Sequence, residues 1–195
     1  ATYAFKATDY LRKNSTSGGA FAALATTVIN DGGSVYGAHL NENFQLRHIR
    51  IDKKEDLALL QGTKYIQSDM TDIFEPLKKD ILAGMPILFS GTPCQIAAVN
   101  NFVKNEKLNT ERLYLCDTIC HGVPSPRLFN AYIHWLKNKY SFTKYFFRNK
   151  NISWRGDSSS IETDNAQLLH DQNTSAFMNI YYSNNVTNDA CFECK

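Results

Sequence analysis

The 195 residues carry a formal charge of +2, with 43% hydrophobic and 21% charged side chains. That length and balance suit one globular domain able to bury a core, and they exclude a disordered chain. Near-neutral charge without a polybasic run leaves no electrostatic footprint for nucleic acid or anionic lipid. No apolar stretch approaches the roughly 20 residues that span a bilayer.

Residues 1–20 lack the apolar segment of a signal peptide, and the first residue is Ala1 rather than Met. Both ends read as cut from a longer polypeptide. The string Asn14-Ser15-Thr16-Ser17-Gly18-Gly19 leads into residues 20–30, apolar at 20–25, 28 and 29. This predicts a largely buried helix, capped by the preceding small polar residues and closed by Asp31-Gly32-Gly33. Residues 34–40 and 44–51 then read as two strands across Asn41-Glu42-Asn43. A short amphipathic helix is expected over 54–60. A second is expected over 72–83, capped by Thr71 or Asp72 and ended by Gly84.

Residues 86–90 form a compact apolar run of the buried parallel type, stopping at Gly91-Thr92-Pro93-Cys94, and 95–103 read as helix. The pattern recurs: a strand over 113–117, a loop Cys120-His121-Gly122-Val123-Pro124, and a helix over 126–140 with Pro at its first turn. Alternating helices and strands predict an α/β fold, with a mainly parallel or mixed sheet flanked by helices. Past residue 142 the composition shifts. Strands are expected near 144–148, 158–162 and 167–170, and a helix over 176–182. These make a short antiparallel β-rich extension, so the chain divides into a core at 1–141 and an extension at 142–195, continuous with each other.

Five cysteines, an odd number, with no secretory segment argue against a disulfide framework and for a reducing, cytoplasmic setting. Cys94 and Cys120 lie in loops after expected core strands, and in open α/β sheets ligands gather at such strand ends. Cys191 and Cys194 form a C-x-x-C pair. Together they supply four thiolates, the number a [4Fe–4S] cluster or a four-cysteine zinc site needs. The plain alternative makes Cys94 and Cys120 ordinary thiols. Cys116, inside an apolar strand, reads as a core thiol. Residues 14–19 resemble an anion cradle before a helix N-terminus, although small polar residues there also serve simply as caps. His121 could donate to a cluster sulfur, relay a proton as the catalytic candidate, or be structural. His39, His48, His134 and His170 show no partner pattern.

Several strings, in order, resemble the coenzyme F420 hydrogenase/dehydrogenase beta subunit family. They are Ser15-Thr16-Ser17-Gly18-Gly19-Ala20-Phe21, Gly62-Thr63-Lys64-Tyr65-Ile66-Gln67-Ser68, Gly91-Thr92-Pro93-Cys94-Gln95, Cys120-His121-Gly122-Val123-Pro124-Ser125 and Cys191-Phe192-Glu193-Cys194. Members of that family bind a flavin, typically FAD, beside a [4Fe–4S] cluster and exchange electrons with a ferredoxin or partner subunit. Archaeal members transfer hydride to or from the deazaflavin F420. The resemblance therefore implies Cys94, Cys120, Cys191 and Cys194 as cluster ligands. As flavin-site lining it implies Ser15, Ser17, Gly18 and Gly19, then Lys64, Tyr65 and Gln67, with Thr92 and Gln95. Many members also carry an N-terminal two-cluster ferredoxin module and continue past the C-x-x-C; this sequence shows neither. It is thus expected to take electrons from a ferredoxin module or another redox subunit.

Two rival readings come from different classes. One is a non-catalytic module whose four cysteines hold zinc. The other is a thiol enzyme with Cys94 as nucleophile, its thiolate favoured by a helix N-terminus.

Overall fold

The computed structural model describes residues 2–153 and 158–194. The chain forms two compact units. The first comprises Ala1–His39, Arg47–Gln61 and Asp69–Cys120, and the second Leu40–Leu46, Gly62–Ser68 and His121–Lys195.

The first unit is built on a four-stranded sheet in the order β2-β1-β3-β4, with β1 Ser34–Leu40, β2 Leu46–Ile51, β3 Ile87–Gly91 and β4 Leu113–Asp117. β1 pairs parallel with β3, and β3 parallel with β4. β2 returns beside β1 through a tight turn, in which the Asn41 side chain accepts from the Asn43 and Gln45 amides. The sheet is therefore mixed, as expected.

Strand alternation sorts the core into two faces. Val35 and Leu88 pack with Ala22, Ala25 and Val28 of α2 (Ala20–Asn30) and with Leu57 and Leu60 of α3 (Leu57–Leu60). Tyr36, Ile87 and Phe89 pack with Leu77 and Ile81 of α4 (Phe74–Leu82) and with Val99 and Val103 of α5 (Pro93–Asn105). Apolar residues on both strand faces are what a helix-covered parallel sheet requires.

Some local expectations shift. A single helical turn, α1 (Asp9–Arg12), precedes the Ser/Gly loop. The run 54–60 is a 3-10 turn, Lys54–Asp56, leading into α3. α4 is not capped by Thr71 or Asp72. Asp69 instead accepts from the Thr71 amide and hydroxyl, at 2.9 and 2.6 Å, so residues 71–73 turn before the helix begins. α5 starts at Pro93, two residues early, because Pro is pre-organised for a first helical turn and Thr92 with Gln95 completes a capping box.

The second unit holds α6 (Pro126–Lys137), a three-stranded antiparallel sheet β5-β6-β7 and α7 (Gln172–Tyr182). The strands are β5 Phe142–Phe146, β6 Ser160–Thr163 and β7 Leu168–Leu169. The antiparallel extension is therefore present. Because α6 packs on α7, residues 121–141 group with the extension, whereas the sequence reading drew its boundary after 141. The core of this unit is aromatic. Phe129 lies 5.0 Å from Phe177, 5.1 Å from Phe147 and 5.5 Å from Tyr145 between ring centroids. The Tyr132 and Tyr145 hydroxyls both donate to the Thr174 carbonyl, at 2.8 and 3.2 Å, so these rings bury their polar tips with a partner. α7 begins four residues earlier than expected, at a capping box formed by Asp171 and Thr174. Among the described residues no helix is long and apolar enough to cross a membrane.

Candidate functional site

In the first unit, the register of β3 and β4 pairs Gly91 with Asp117 at the carboxyl ends of both strands. Cys94 and Cys120 each follow their strand end by three residues, and both are exposed. Both thus follow carboxyl ends of adjacent parallel strands. Cys94 is the second residue of α5, with the Thr92 hydroxyl 3.1 Å from its sulfur. Gln95 accepts from the Thr92 amide at 2.9 Å, so its side chain serves the turn that presents Cys94. Cys116 is half-buried, packs against the α2 face of the core and has its thiol pushed up by burial and by the charge of Asp117. Those are the properties of a core thiol.

His48, to which the sequence reading assigned nothing, stands behind this edge. It is buried, stacked on Phe89 at 5.2 Å, and its Nε2 lies 3.0 Å from the Ser90 carbonyl. A side chain on Gly91 would meet His48 at 3.5 Å and Gln95 at 3.0 Å, so the loop carrying Cys94 closes tightly over the histidine. The only sequence cue was a histidine on the inward-facing parity of β2.

The Ser/Gly loop is strongly braced. Ser15 is buried, donates to the Leu11 carbonyl at 2.8 Å and accepts from the Gln61 amide at 2.9 Å. Its proton is thus committed within the protein. Gly18 passes so close to the Phe5 carbonyl that a Cβ would sit 2.7 Å from its oxygen, and Gly19 takes φ +82° at the start of α2. Ser17 remains exposed at the loop surface.

In the second unit, Lys64 is half-buried, and burial pushes its ammonium down to about 7. Tyr65 packs on Tyr181, Phe147 and Tyr182 with centroids 5.0, 6.0 and 6.4 Å apart. Ile66 is buried and Gln67 exposed. One short segment thus carries a partly desolvated cation and, at the next residue, a ring packed in an aromatic cluster.

The same unit carries His121, which is exposed, and the cysteine knuckle. Cys191 is half-buried and Cys194 exposed; the Cys191 amide donates to the Asn188 carbonyl at 2.8 Å. The Val123 carbonyl accepts from the Asn188 amide at 3.0 Å, and the Tyr181 hydroxyl donates to the Gly122 carbonyl at 3.3 Å. Tyr181 thereby touches both the 121–124 loop and the Lys64-Tyr65 segment. Sequence periodicity gives no hint of this role.

Among the described residues no cysteine is in a disulfide, and soft sulfur donors of this kind fit zinc or an iron–sulfur cluster chemically. Among the described residues no three His, Cys, Asp or Glu side chains form a group that could hold a metal ion.

In comparison with known proteins, the family model for the C terminus of the coenzyme F420 hydrogenase/dehydrogenase beta subunit matches residues 84–195. No curated protein matches the sequence. Among solved structures, the fold is similar to a chain in the F420-reducing [NiFe] hydrogenase complex from Methanosarcina barkeri, with a TM-score of 0.64 at 16% identity. The match covers 100% of this chain and 66% of that one, so this chain spans just under two thirds of its solved relative.

Proposed function

Since this chain belongs to the coenzyme F420 hydrogenase/dehydrogenase beta subunit family, we propose that it is the cofactor-bearing part of an iron–sulfur flavoprotein oxidoreductase. In this reading Cys94, Cys120, Cys191 and Cys194 ligate a [4Fe–4S] cluster. Ser17, Gly18 and Gly19 in the first unit, and Lys64, Tyr65 and Gln67 in the second, are the residues that would hold FAD. A deazaflavin or another hydride acceptor is the substrate, and a ferredoxin module or redox subunit is the electron partner. The observation that carries the reading is the equal three-residue offset of Cys94 and Cys120 beyond the Gly91–Asp117 pair. Both thiols are exposed, so each is accessible to a ligand at that end of the sheet.

A cluster with a flavin supplies the conversion between one-electron and two-electron transfer. The residues of this chain do the rest. The thiolates would hold the cluster, and the Thr92 hydroxyl, 3.1 Å from the Cys94 sulfur, would raise its potential by donating to that thiolate. Lys64 offers a cation to the negative part of the flavin, and Tyr65 offers a stacking surface. His121, exposed and next to Cys120 in the chain, is available to move a proton.

The test is turnover by the protein, reconstituted anaerobically with iron, sulfide and FAD. Reduced viologen serves as donor and F420 or an artificial hydride acceptor is followed optically. Acceptor reduction that requires both cofactors supports the proposal; a colourless, inactive protein that binds zinc alone would replace it with a structural zinc module.

A further inference from the structure

Gly122 has φ +100°, a conformation that residues with a side chain rarely adopt. It is also in closest contact with the knuckle. A Cβ placed there would lie 2.3 Å from Thr187 Cγ2 and 3.1 Å from Cys191 Cβ. The first distance is shorter than any carbon–carbon contact allows, and the atom it meets belongs to a short β-branched side chain that has little room to swing. On either side the backbones are tied together. Pro124 forms an antiparallel bridge with Thr187, and the Asn188 amide donates to the Val123 carbonyl at 3.0 Å. From Asn188 the chain turns directly into Cys191, whose amide donates to the Asn188 carbonyl. Residues 122–124 are therefore a rail along which 187–188 runs, and the rail places Cys191.

We propose that Gly122 is the positioning residue of the C-terminal cysteine knuckle: the missing side chain at 122 lets Thr187 and Cys191 seat against the loop that follows Cys120. The backbone rail fixes direction, and the bare Cα fixes distance. Any Cβ at 122 must push the 187–191 turn outward, carrying Cys191 with it. The consequence for cofactor loading rests on the reading of Cys191 as a ligand; the seating itself does not.

The test uses the whole chain, reduced and anaerobic, with iodoacetamide as probe and mass spectrometry resolving Cys191 from Cys94. In Gly122→Ala, Cys191 is expected to alkylate about tenfold faster while Cys94 keeps its rate, because only the knuckle opens. Thr187→Ser deletes the Cγ2 atom that the new methyl would strike, so the double variant Gly122→Ala/Thr187→Ser should recover part of the protection. If Gly122→Ala does not fold by circular dichroism, Thr187→Leu enlarges the same contact without straining the backbone and should expose Cys191 in the same way. Unchanged Cys191 rates in the folded variants overturn the proposal, as does equal acceleration of Cys94 and Cys191. Iron and sulfide content, measured in parallel, separates the two ideas. Exposed Cys191 in the variants, with a wild-type chain that takes up no iron, keeps the positioning role and refutes the cluster.

Discussion

Gly91 and Asp117 are register partners at the carboxyl ends of β3 and β4, and the Thr118 amide extends the pairing by donating to the Gly91 carbonyl at 3.1 Å. This fixes the start of two loops side by side, each delivering an exposed cysteine three residues later. Neither cysteine packs in the core, so each can be removed without leaving a cavity. Cys94→Ala and Cys120→Ala are each expected to lose iron and sulfide while keeping the wild-type circular dichroism spectrum and midpoint of unfolding. Full iron and sulfide in either variant after anaerobic reconstitution removes that cysteine from the ligand set.

Lys64 gives a pH-dependent prediction. Burial lowers its folded value to about 7, so the ammonium is present below that pH and the neutral amine above it. If Lys64 faces the anionic part of FAD, affinity falls as pH rises through about 7, and the dependence is absent in Lys64→Ala. Fluorescence titration of FAD on either side of that pH measures it. Lys64→Ala should also weaken flavin binding more than cluster assembly. Equal flavin affinity in variant and wild type would take Lys64 out of the site.

Asp80 anchors the first unit. It accepts from Ser34 and Tyr36 at 2.6 Å each and from Arg50 at 2.7 Å. Burial acts to raise its carboxyl, but the hydrogen bonds from Arg50, Ser34 and Tyr36 prevail and hold it below the usual carboxylate range. A carboxyl lowered in the folded state stabilises above its unfolded value, and the contribution is lost as pH falls through the folded one. Asp80→Asn is expected to cost about 3 kcal/mol at neutral pH, because it removes the carboxylate that Arg50, Ser34 and Tyr36 share and leaves Arg50 paired with Asp52 alone. The gap to wild type should narrow below about pH 4. Urea unfolding at both pH values checks the sign, and a gap that widens in acid would contradict it.

Gln95 separates a structural role from a cofactor role. Its side chain completes the capping box at the start of α5. Gln95→Ala is expected to cost about 1 kcal/mol of stability. A loss of flavin affinity with unchanged stability would instead place Gln95 against the cofactor.

Much of the fold was legible because local pattern and tertiary packing agree. The small apolar run of α2 ends at Asp31-Gly32, with Gly32 at φ +74°, and the 113–117 strand appears with the bounds read from its apolar residues. Where element bounds differ from the local pattern, the decisive partner is distant or the cue polar. α7 starts on the Asp171–Thr174 box, which has no apolar period to betray it. β5 begins at Phe142 because that ring is buried, and a break in register after it blurs the alternation of the following residues. At the site, the cysteine spacing was readable. The commitment of the Ser15 hydroxyl to Gln61, His48 under Gly91, and Tyr181 against Tyr65 and Gly122 all join residues far apart in sequence, and no local pattern encodes them.

The proposed function requires that the chain take up both an iron–sulfur cluster and a flavin. The most direct measurement is anaerobic purification followed by an absorption spectrum and analysis of iron, sulfide, zinc and flavin. The expected result is a brown protein with about four irons and equal sulfide per chain, together with bound or readily restored FAD. A colourless protein with one zinc and no flavin affinity would contradict it.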